Sequence, residues 1–402
     1  MTVFNLNLNA MNLFRIHLLF LFALFLWQCQ GDASQENNSS SEDSTIDDLP
    51  PEQEDFGEAL YKWGYINQAG TMVIPTRFDD ARNFEQGLAA VQVKGEWGFI
   101  NKKGDYVIKP QFKGVWAFRE GLARALTWED EMGFINAIGK WVIPATFEEV
   151  QDFSNGLARV QKDGIYGFID KSGKLVIPMQ FARVSNFENG LAKAKGFGKY
   201  GIIDTTGSFV ISEKYDRIEL PINGLIKAKK DGKYGFLDIE ENIIVPFQYQ
   251  SASNFEEGVA SVGEDSGYFL VDEKGARLSE NYDALWYGKE GRWLMEKGGK
   301  FGAIAASGEE VIPAAYEQLL PFSDSLTFYQ DKRQLWGIMN AEGNKITAAE
   351  YGLAWEFKNG LARVAFYEGI GFINKRGQVV ISPRYLEVRD FSEGLARVQL
   401  GR

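Results

Sequence analysis

The sequence predicts an all-β repeat protein, and three observations lead to that prediction. An aromatic-glycine pair or a close variant returns about every 34 residues from Gly64 to Gly371. A second glycine column returns in the same phase from Gly87 to Gly394. The 43 Gly and the 14% aromatic residues are typical of many short strands joined by tight turns. Two columns in one phase indicate about ten tandem units over residues 56–402.

Within each unit the turn residues divide the chain into strands. A Gly-Phe-Ile-Asn strand is followed by an Asx-x-x-Gly turn, in which the Asn or Asp side chain caps the turn. The next strand ends at Val-Ile-Pro, because proline cannot donate to a ladder. The sequence Gly-Leu-Ala-x-Val begins a third strand. Each unit of about 34 residues is therefore expected to be a three-stranded antiparallel sheet.

Such a unit is too small to bury its aromatic face alone, so its neighbours must supply the other wall. We expect an open array, twisted or superhelical. The alternative is a closed, propeller-like ring, or two such rings. The open form is favoured because ten units exceed the usual four to eight blades, and because a propeller blade has four strands.

The repeated residues resemble those of the bacterial WG-repeat (KWG-repeat) family, named for its Trp-Gly pair. The pair stands at Trp63-Gly64, Trp97-Gly98 and Trp336-Gly337. The resemblance covers residues 57–402 and implies a β-rich bacterial repeat protein. It implies no catalytic residue, because the family is not defined by a chemistry.

The N-terminus reads as an export signal followed by a lipid-attachment site. Residues 16–27 are almost wholly apolar, with Arg15 before them, and the run is too short to span a bilayer. Residues 1–28 are thus expected to be a signal peptide, with Met11 as an alternative start. Cys29, with Leu26 three residues before it, resembles a bacterial lipoprotein cleavage site. An ordinary signal peptide and an uncleaved anchor are the alternatives.

The segment after Cys29 is acidic and polar. Residues 30–55 hold nine acids and no Lys or Arg, so residues 29–55 are expected to be a lipidated cysteine and a disordered linker. The formal net charge is −12 for the chain but only −4 for residues 56–402. So balanced an array argues against nucleic acid as a partner. The expected location is the bacterial envelope, through a membrane lipid anchor, at the outer membrane or cell surface.

The residue inventory argues against the commonest catalytic sites. The one histidine, His17, and the one cysteine, Cys29, both lie in the N-terminal segment. We therefore expect no catalytic histidine or cysteine, no zinc site, no metal and no cofactor. The acid pairs Asp79-Asp80 and Glu148-Glu149 leave a carboxylate-dependent glycoside hydrolase as a remote alternative. A solvated turn is the simpler interpretation of both pairs.

Two further columns are candidates for binding. A basic residue recurs two positions after Gly-Leu and would form a ladder on stacking: Arg124, Arg159, Lys193, Lys227, Arg363 and Arg397. This ladder could hold an acidic glycan or another polyanion, or it could pair with neighbouring acids. The second candidate column lies four residues after the Phe or Tyr of Ile-Pro-x-x-Phe. Most units carry a polar residue there, but three carry tryptophan: Trp116, Trp286 and Trp355.

If the polar residues mark a surface position, these tryptophans are exposed contact sites, and Trp293 joins Trp286. Local repacking of divergent units is the alternative. The sequence therefore favours a non-catalytic binding module of the cell envelope that contacts a polysaccharide or a protein. A structural spacer or assembly scaffold is the second hypothesis.

Overall fold

The computed structural model describes residues 61–196 and 198–400. The predictions for the signal peptide, the start at Met11, the lipidated Cys29 and the acidic linker lie outside the described residues. The described chain consists of β-strands, turns and loops, with no α-helix in that part of the molecule. In particular, it contains no helix long and apolar enough to cross a membrane.

The strands form ten antiparallel sheets, labelled blades A to J. Blade A holds β1 (Lys62–Asn67), β2 (Met72–Phe78), β37 (Glu387–Val388) and β38 (Leu395–Leu400). Blade B holds β3 (Asp80–Ala81), β4 (Leu88–Val93), β5 (Glu96–Asn101) and β6 (Tyr106–Phe112). Blade C holds β7 (Gly114–Val115), β8 (Ala123–Leu126), β9 (Met132–Ile135) and β10 (Trp141–Phe147). Blade D holds β11 (Glu149–Val150), β12 (Leu157–Lys162), β13 (Ile165–Asp170) and β14 (Leu175–Phe181).

The next three blades continue the pattern. Blade E holds β15 (Arg183–Val184), β16 (Leu191–Lys195), β17 (Tyr200–Asp204) and β18 (Phe209–Tyr215). Blade F holds β19 (Arg217–Ile218), β20 (Ile226–Lys230), β21 (Lys233–Leu237) and β22 (Ile243–Tyr249). Blade G has three strands, β23 (Ser251–Ala252), β24 (Val259–Glu264) and β25 (Gly267–Asp272).

The last three blades lead back to the start. Blade H holds β26 (Ala284–Tyr287), β27 (Arg292–Lys297), β28 (Lys300–Ala305) and β29 (Glu310–Tyr316). Blade I has three strands, β30 (Gln318–Leu319), β31 (Leu326–Gln330) and β32 (Trp336–Asn340). Blade J holds β33 (Leu353–Ala354), β34 (Leu361–Phe366), β35 (Gly369–Asn374) and β36 (Val379–Tyr385).

Blade B shows how the sequence builds a sheet. A tight turn joins β3 to β4, with Gln86 and Gly87 at φ 52° and 79°, the left-handed region that favours glycine. The Asn101 side chain ends β5 by accepting the backbone N–H groups of Lys103 and Asp105, at 2.9 and 3.0 Å. This is the expected Asx turn. Strand β6 forms one edge of the sheet and continues through Pro110 to Phe112. The expectation that the second strand ends at the proline is therefore wrong, because a residue without an N–H is tolerated on an edge strand.

The glycine of the aromatic-glycine pair is required by a bulge in the neighbouring strand. In blade B, Trp97 pairs with Phe112 and Phe99 pairs with Ile108, so β6 has extra residues opposite Gly98. A Cβ atom on Gly98 would lie 2.4 Å from the Ile108 carbonyl oxygen. The same approach of a carbonyl oxygen recurs in every four-stranded blade. Blades G and I lack the fourth strand. Phe269 replaces the glycine in blade G, whereas blade I keeps Gly337, where a Cβ atom would lie 2.7 Å from the Tyr329 ring.

The ten sheets close into a propeller ring, so the expectation of an open array is wrong and the closed-ring alternative is confirmed. Strand β38 pairs with β1 along its full length, from Lys62 opposite Leu400 to Asn67 opposite Leu395. Blade A is thus built from both ends of the repeat array. The sequence repeat supplies the last two strands of one blade and the first two of the next.

The expectation of three strands per unit is also wrong for most of the array, because eight of the ten units contribute four strands. The missed strand has two residues in most blades, as in β3 and β11. It pairs with its neighbour over those two positions only, Asp80 opposite Gln92 and Ala81 opposite Val91 in blade B. A strand this short leaves no alternation of apolar and polar residues in the sequence.

Aromatic pairs between neighbouring blades form most of the core. The phenylalanine of Gly-Phe-Ile in one blade contacts the phenylalanine of Phe-x-x-Gly-Leu in the next. Phe99 and Phe118 are 4.9 Å apart between ring centroids, and Phe168 and Phe187 are 4.6 Å apart. All four rings are almost fully buried. Closure therefore buries one aromatic wall at nearly every junction.

Candidate functional site

The two candidate columns meet at the edge formed by the short strands. Arg82, which follows β3, donates from Nη1 to the Val115 carbonyl on β7, the next short strand, at 2.7 Å. Such bonds link the short-strand edges of consecutive blades directly. In blade C, Trp116 follows the short strand and Arg124 lies opposite it on β8, since the Trp116 N–H donates to the Arg124 carbonyl. The two columns are therefore cross-strand neighbours.

The arginines of the basic ladder link each blade to the next. Arg159 donates to the Val184 carbonyl at 2.6 Å, and Arg363 donates to the Val388 carbonyl at 3.0 Å. Arg124 and Arg397 make the same bond to the short strands that follow them. Each acceptor is the second residue of a short strand. The ladder therefore satisfies carbonyl groups at the short-strand edge of the next blade.

Carboxylates compensate the ladder arginines. Arg124 pairs with Asp152 at 2.5 Å, and Arg363 pairs with Asp390 at 2.6 Å. Arg159 pairs with Glu149 at 2.9 Å, and Arg397 lies 3.8 Å from Asp80. Burial lowers the pKa of Arg363, and Asp390 opposes that shift. The structure thus places Arg124, Arg363 and Arg397 in ion pairs with the next blade, whereas Arg159 pairs with an acid of its own blade D.

The two lysines of the ladder share one acid. Lys193 pairs with Glu219 at 2.6 Å. Glu219 is also the cross-strand neighbour of Lys227, because its N–H donates to the Lys227 carbonyl at 2.9 Å. Burial lowers the pKa of Lys227, while Glu219 raises it and Lys193 lowers it. The ammonium groups are therefore held close to a single negative charge.

The three tryptophans of the second column are half-buried, and none is strongly exposed. Arg124 lies over the Trp116 ring at 4.7 Å from its centroid, and Arg363 lies over Trp355 at the same distance. Trp286 packs edge-on against Phe301 at 5.9 Å. Their rings thus combine core contacts with a partly accessible surface.

Trp293 is fully buried, with 0% exposure, so its ring is not on the surface. It occupies the column in which most units have alanine, such as Ala158 in blade D. The same unit has Gly288 where others have the phenylalanine of Phe-x-x-Gly-Leu. Trp293 packs in a core cluster with Leu270 of the preceding blade. The large ring therefore belongs to the core of an irregular junction, where a phenylalanine is missing.

A pocket of about 230 Å³ opens between blades B, C and D. It exists because the ladder is interrupted: blade B has Ala90 where blade C has Arg124. Arg82 enters the vacated space and lies 4.8 Å from the Trp97 ring centroid and 5.8 Å from that of Trp116. The lining residues are Arg82, Asn83, Glu85, Leu88, Ala90, Phe99, Trp116, Ala117, Arg119, Arg124 and Asp152. Three arginines, two carboxylates and one tryptophan thus surround one small cavity.

A larger cavity of about 490 Å³ lies between the fourth strands of blades D and E. Phe181, Phe209 and Glu213 line it together with glycine backbone. Among the residues that the structure describes, Glu213 is the one charged side chain that lines it. The smaller pocket is therefore the better candidate site, because several polar groups converge there.

The acid pairs are engaged in turns. Glu148 accepts the backbone N–H groups of Asp163 and Gly164, at 2.9 and 3.2 Å. Asp79 accepts the Lys94 N–H at 2.5 Å. Glu149 receives bonds from Gln151, Arg159 and Tyr166. These bonds lower the pKa of Glu149, although its burial acts in the opposite direction.

The described ranges contain no cluster of three or more acidic, histidine or cysteine residues arranged to hold a metal ion. Two residues of the pocket, Arg82 and Ala90, were not predicted as site residues, although Arg82 is one of the polar members of the tryptophan column. The signal was available, since Ala90 is the one small residue in the ladder between blades A and F. The effect of a small residue at this position depends on the side chains of the next blade, and these are known only from the fold.

The repeat matches a known family of repeat sequences. The model of the WG containing repeat matches residues 63–97, 97–126, 132–164, 166–195, 200–234, 234–268, 301–332, 336–366 and 370–402. The unmatched stretch from 269 to 300 contains the irregular unit with Trp293. No curated protein sequence matches the chain.

Similar solved structures include a eukaryotic initiation factor, 12% identical over 73% of this chain and 95% of that chain, with TM-score 0.46. BamB from Moraxella catarrhalis is 12% identical over 80% and 96%, with TM-score 0.34. The computationally designed Ika8 protein is 13% identical over 65% and 93%, with TM-score 0.35. Likeness at this level carries no argument about function. The nine matched repeats do show the family, and the chain belongs to the proteins that contain WG repeats.

Proposed function

We propose that this protein is a non-catalytic binding module of the cell envelope, which contacts a glycan or protein ligand at the pocket between blades B, C and D. The observation that carries the proposal is the half-buried guanidinium of Arg82 beside the accessible part of Trp116. A charged donor and an aromatic ring at one concave site are typical of ligand recognition. A ring of WG repeats agrees with a binding or scaffold module.

The absence of catalysis is part of the proposal. Both acid pairs hold turns or ladder arginines, so neither is positioned by a cleft of its own. The N-terminal export signal and Cys29 support attachment to the envelope by a lipid. Under this proposal the acidic linker would tether the ring to the membrane.

The test is a binding screen of the purified protein against polysaccharides and envelope protein extracts, with Trp116→Ala run in parallel. We expect the parent protein to bind one of these ligands. Its affinity should be at least about tenfold lower in Trp116→Ala, because hot-spot aromatic residues contribute about 2 kcal/mol or more. Trp141→Ala is the matched control, since Trp141 is 38% exposed on the fourth strand of blade C, away from the pocket lining. Equal losses in both variants, or no ligand for the parent protein, would exclude the pocket as the binding site.

A structural scaffold is the second candidate, and one observation favours it. Polar bonds tie the turns of consecutive blades: the Gly190 N–H donates to Asn155 at 3.0 Å, and the Gly360 N–H donates to Asp324 at 2.7 Å. A stiff ring suits a spacer. The scaffold hypothesis predicts that Trp116→Ala leaves envelope assembly intact, whereas removal of one 34-residue unit disrupts it. A glycoside hydrolase would instead lose turnover in Glu149→Gln.

A further inference from the structure

Arg82 has no negative partner, unlike the arginines around it. Among residues 61–196 and 198–400, no carboxylate oxygen lies within the 4.0 Å ion-pair distance of its guanidinium. Arg389 occupies the equivalent position in blade A and pairs with Glu387. Burial lowers the pKa of Arg82, as does Arg124, while Asp80 raises it. A half-buried cation without a partner is costly, so the site favours an anion from outside the chain.

The charges of the pocket leave room for one negative charge. Arg119 pairs with Glu85, and Arg124 pairs with Asp152. The guanidinium of Arg82 is the positive charge that remains. A carboxylate, with one charge and two coplanar oxygens, matches this surplus and the forked geometry of arginine. A doubly charged phosphate would be repelled by Glu85 and Asp152.

The remaining lining groups favour a sugar as the carrier of that carboxylate. Glu85 and Asp152 can accept hydrogen bonds from hydroxyl groups, and the Asn83 amide can donate and accept. The half-buried Trp116 adds an aromatic surface, which suits the apolar face of a sugar ring. An acidic peptide would instead bring further carboxylates and carbonyls toward two acids. The volume of about 230 Å³ is small, so it suits a single residue.

We infer that the pocket between blades B, C and D binds a uronic acid residue of an acidic polysaccharide, with its carboxylate held by Arg82. This inference rests on the proposed binding function and names its ligand class. Trp116 and Asn83 would contact the ring, and the two acids would accept its hydroxyl groups. Neighbouring residues of the polymer would extend outward over the face of the ring.

The test is calorimetric titration of the full chain with polygalacturonate, fully methyl-esterified polygalacturonate and polyglutamate. We expect binding of the free acid, with at least about tenfold weaker binding of the ester, because a charged hydrogen bond contributes about 1.5–3 kcal/mol. Arg82→Gln should weaken binding by the same factor. Arg389→Gln is the matched control, since it removes the same residue type at the equivalent, already paired position.

A second variant guards against misfolding. Arg82→Gln combined with Ala90→Arg recreates the arrangement of blade D, where Gln151 and Arg159 occupy the two positions. This variant should fold, restore the ladder and fill the pocket, so binding should be lost while the melting temperature is kept. Uronate binding that survives this change, or that is equally strong for the ester, would overturn the inference.

Other outcomes separate the inference from the proposed function. Tight binding of polyglutamate would overturn the choice of a sugar. If no uronate binds but the screen finds another ligand that depends on Trp116, the inference fails and the proposed function stands. If neither experiment finds a ligand, both fail.

Discussion

Arg363 shows what a ladder arginine contributes at the scale of single residues. Its side chain is 9% exposed, contacts Trp355, and bonds both Asp390 and the Val388 carbonyl of the next blade. Removing one partner of such a pair leaves a buried charge uncompensated, which costs more than the pair itself contributes. Removing one partner of a ladder pair is therefore expected to destabilise the protein by more than the intact pair stabilises it.

We predict that Asp390→Asn lowers the free energy of unfolding by about 1–3 kcal/mol, because Arg363 keeps its charge but loses its partner. Asp390 is 32% exposed, and solvent screening keeps the expected value below that of a fully buried pair. Urea denaturation followed by tryptophan fluorescence would measure the change.

Asp130→Asn is the control for this prediction. The Asp130 side chain is 70% exposed and pairs with Lys113 at the surface, where an ion pair contributes less than about 1 kcal/mol. Equal effects in the two variants would show that the ladder pairs behave like surface pairs.

For single residues, the sequence predicted which residues share a column better than it predicted the exposure and contacts of their side chains. The spacing of Arg124 and Arg363 placed both in one ladder, and the alternative of pairing with acids described their contacts. Exposure was harder to predict, because it depends on the next blade: Trp293 is fully buried beside a missing phenylalanine, and Arg82 matters only because Ala90 is small. Neither relation is visible along one segment of sequence.

The aromatic-glycine pair belongs to the scale of the strand and its neighbour. Gly98 tolerates no side chain, because the bulged fourth strand brings a carbonyl oxygen to within 2.4 Å of any Cβ atom there. The period of the sequence is thus set by the repeated bulge. Phe269 fits the same explanation, since its blade lacks the fourth strand.

We predict that Gly98→Ala lowers the free energy of unfolding by about 2–4 kcal/mol, since backbone atoms of β6 would have to move. Thermal denaturation monitored by circular dichroism would measure it. Gly352→Ala is the control: the Ala365 carbonyl oxygen lies at an ordinary contact distance of 3.5 Å from the added Cβ and the φ of Gly352 is not positive, so its effect should stay within about 0.5 kcal/mol. A small effect at Gly98 would mean that the fourth strand is loosely held.

Strands and turns were predictable where turn chemistry is local. The Asx turn after β5 follows from side chains within a few residues. The proline was a poorer guide, because the fourth strand is an edge strand and continues past it to Phe112. The two-residue strands were not predictable, because their pairing is dictated by the adjacent strand. Counting three strands instead of four then led to the wrong choice between array and ring.

Closure is the property of the whole molecule, and it depends on one strand pair. Strand β38 completes blade A by lying beside β1, so the ends of a long chain segment meet in one sheet. Long-range contacts of this kind carry the largest entropic cost of folding. An open array and a closed ring have the same periodicity in sequence, so the period alone could not distinguish the two folds.

We predict that a disulfide between Lys62→Cys and Leu400→Cys, in a background with Cys29→Ser, raises the free energy of unfolding by about 4 kcal/mol, because it closes a very long loop. The two positions are directly opposite in the β1–β38 pair. The melting temperature with and without reductant would report the gain.

The matched control joins Val93→Cys to Glu96→Cys, the equivalent pair in blade B. That disulfide closes only a hairpin, so its gain should be less than half as large. Equal gains would contradict the prediction that the length of the closed loop sets the stabilisation.

The offset between the sequence repeat and the blade has a consequence for the history of the ring. Each unit gives two strands to one blade and two to the next, so a recombination event at a unit boundary falls between the second and third strands of a blade. Duplicating one unit would add a complete blade while leaving the strands at both ends of the array paired as before. Duplication can thus change the number of blades in the ring one at a time. A ring of ten blades needs no separately evolved strand to close it.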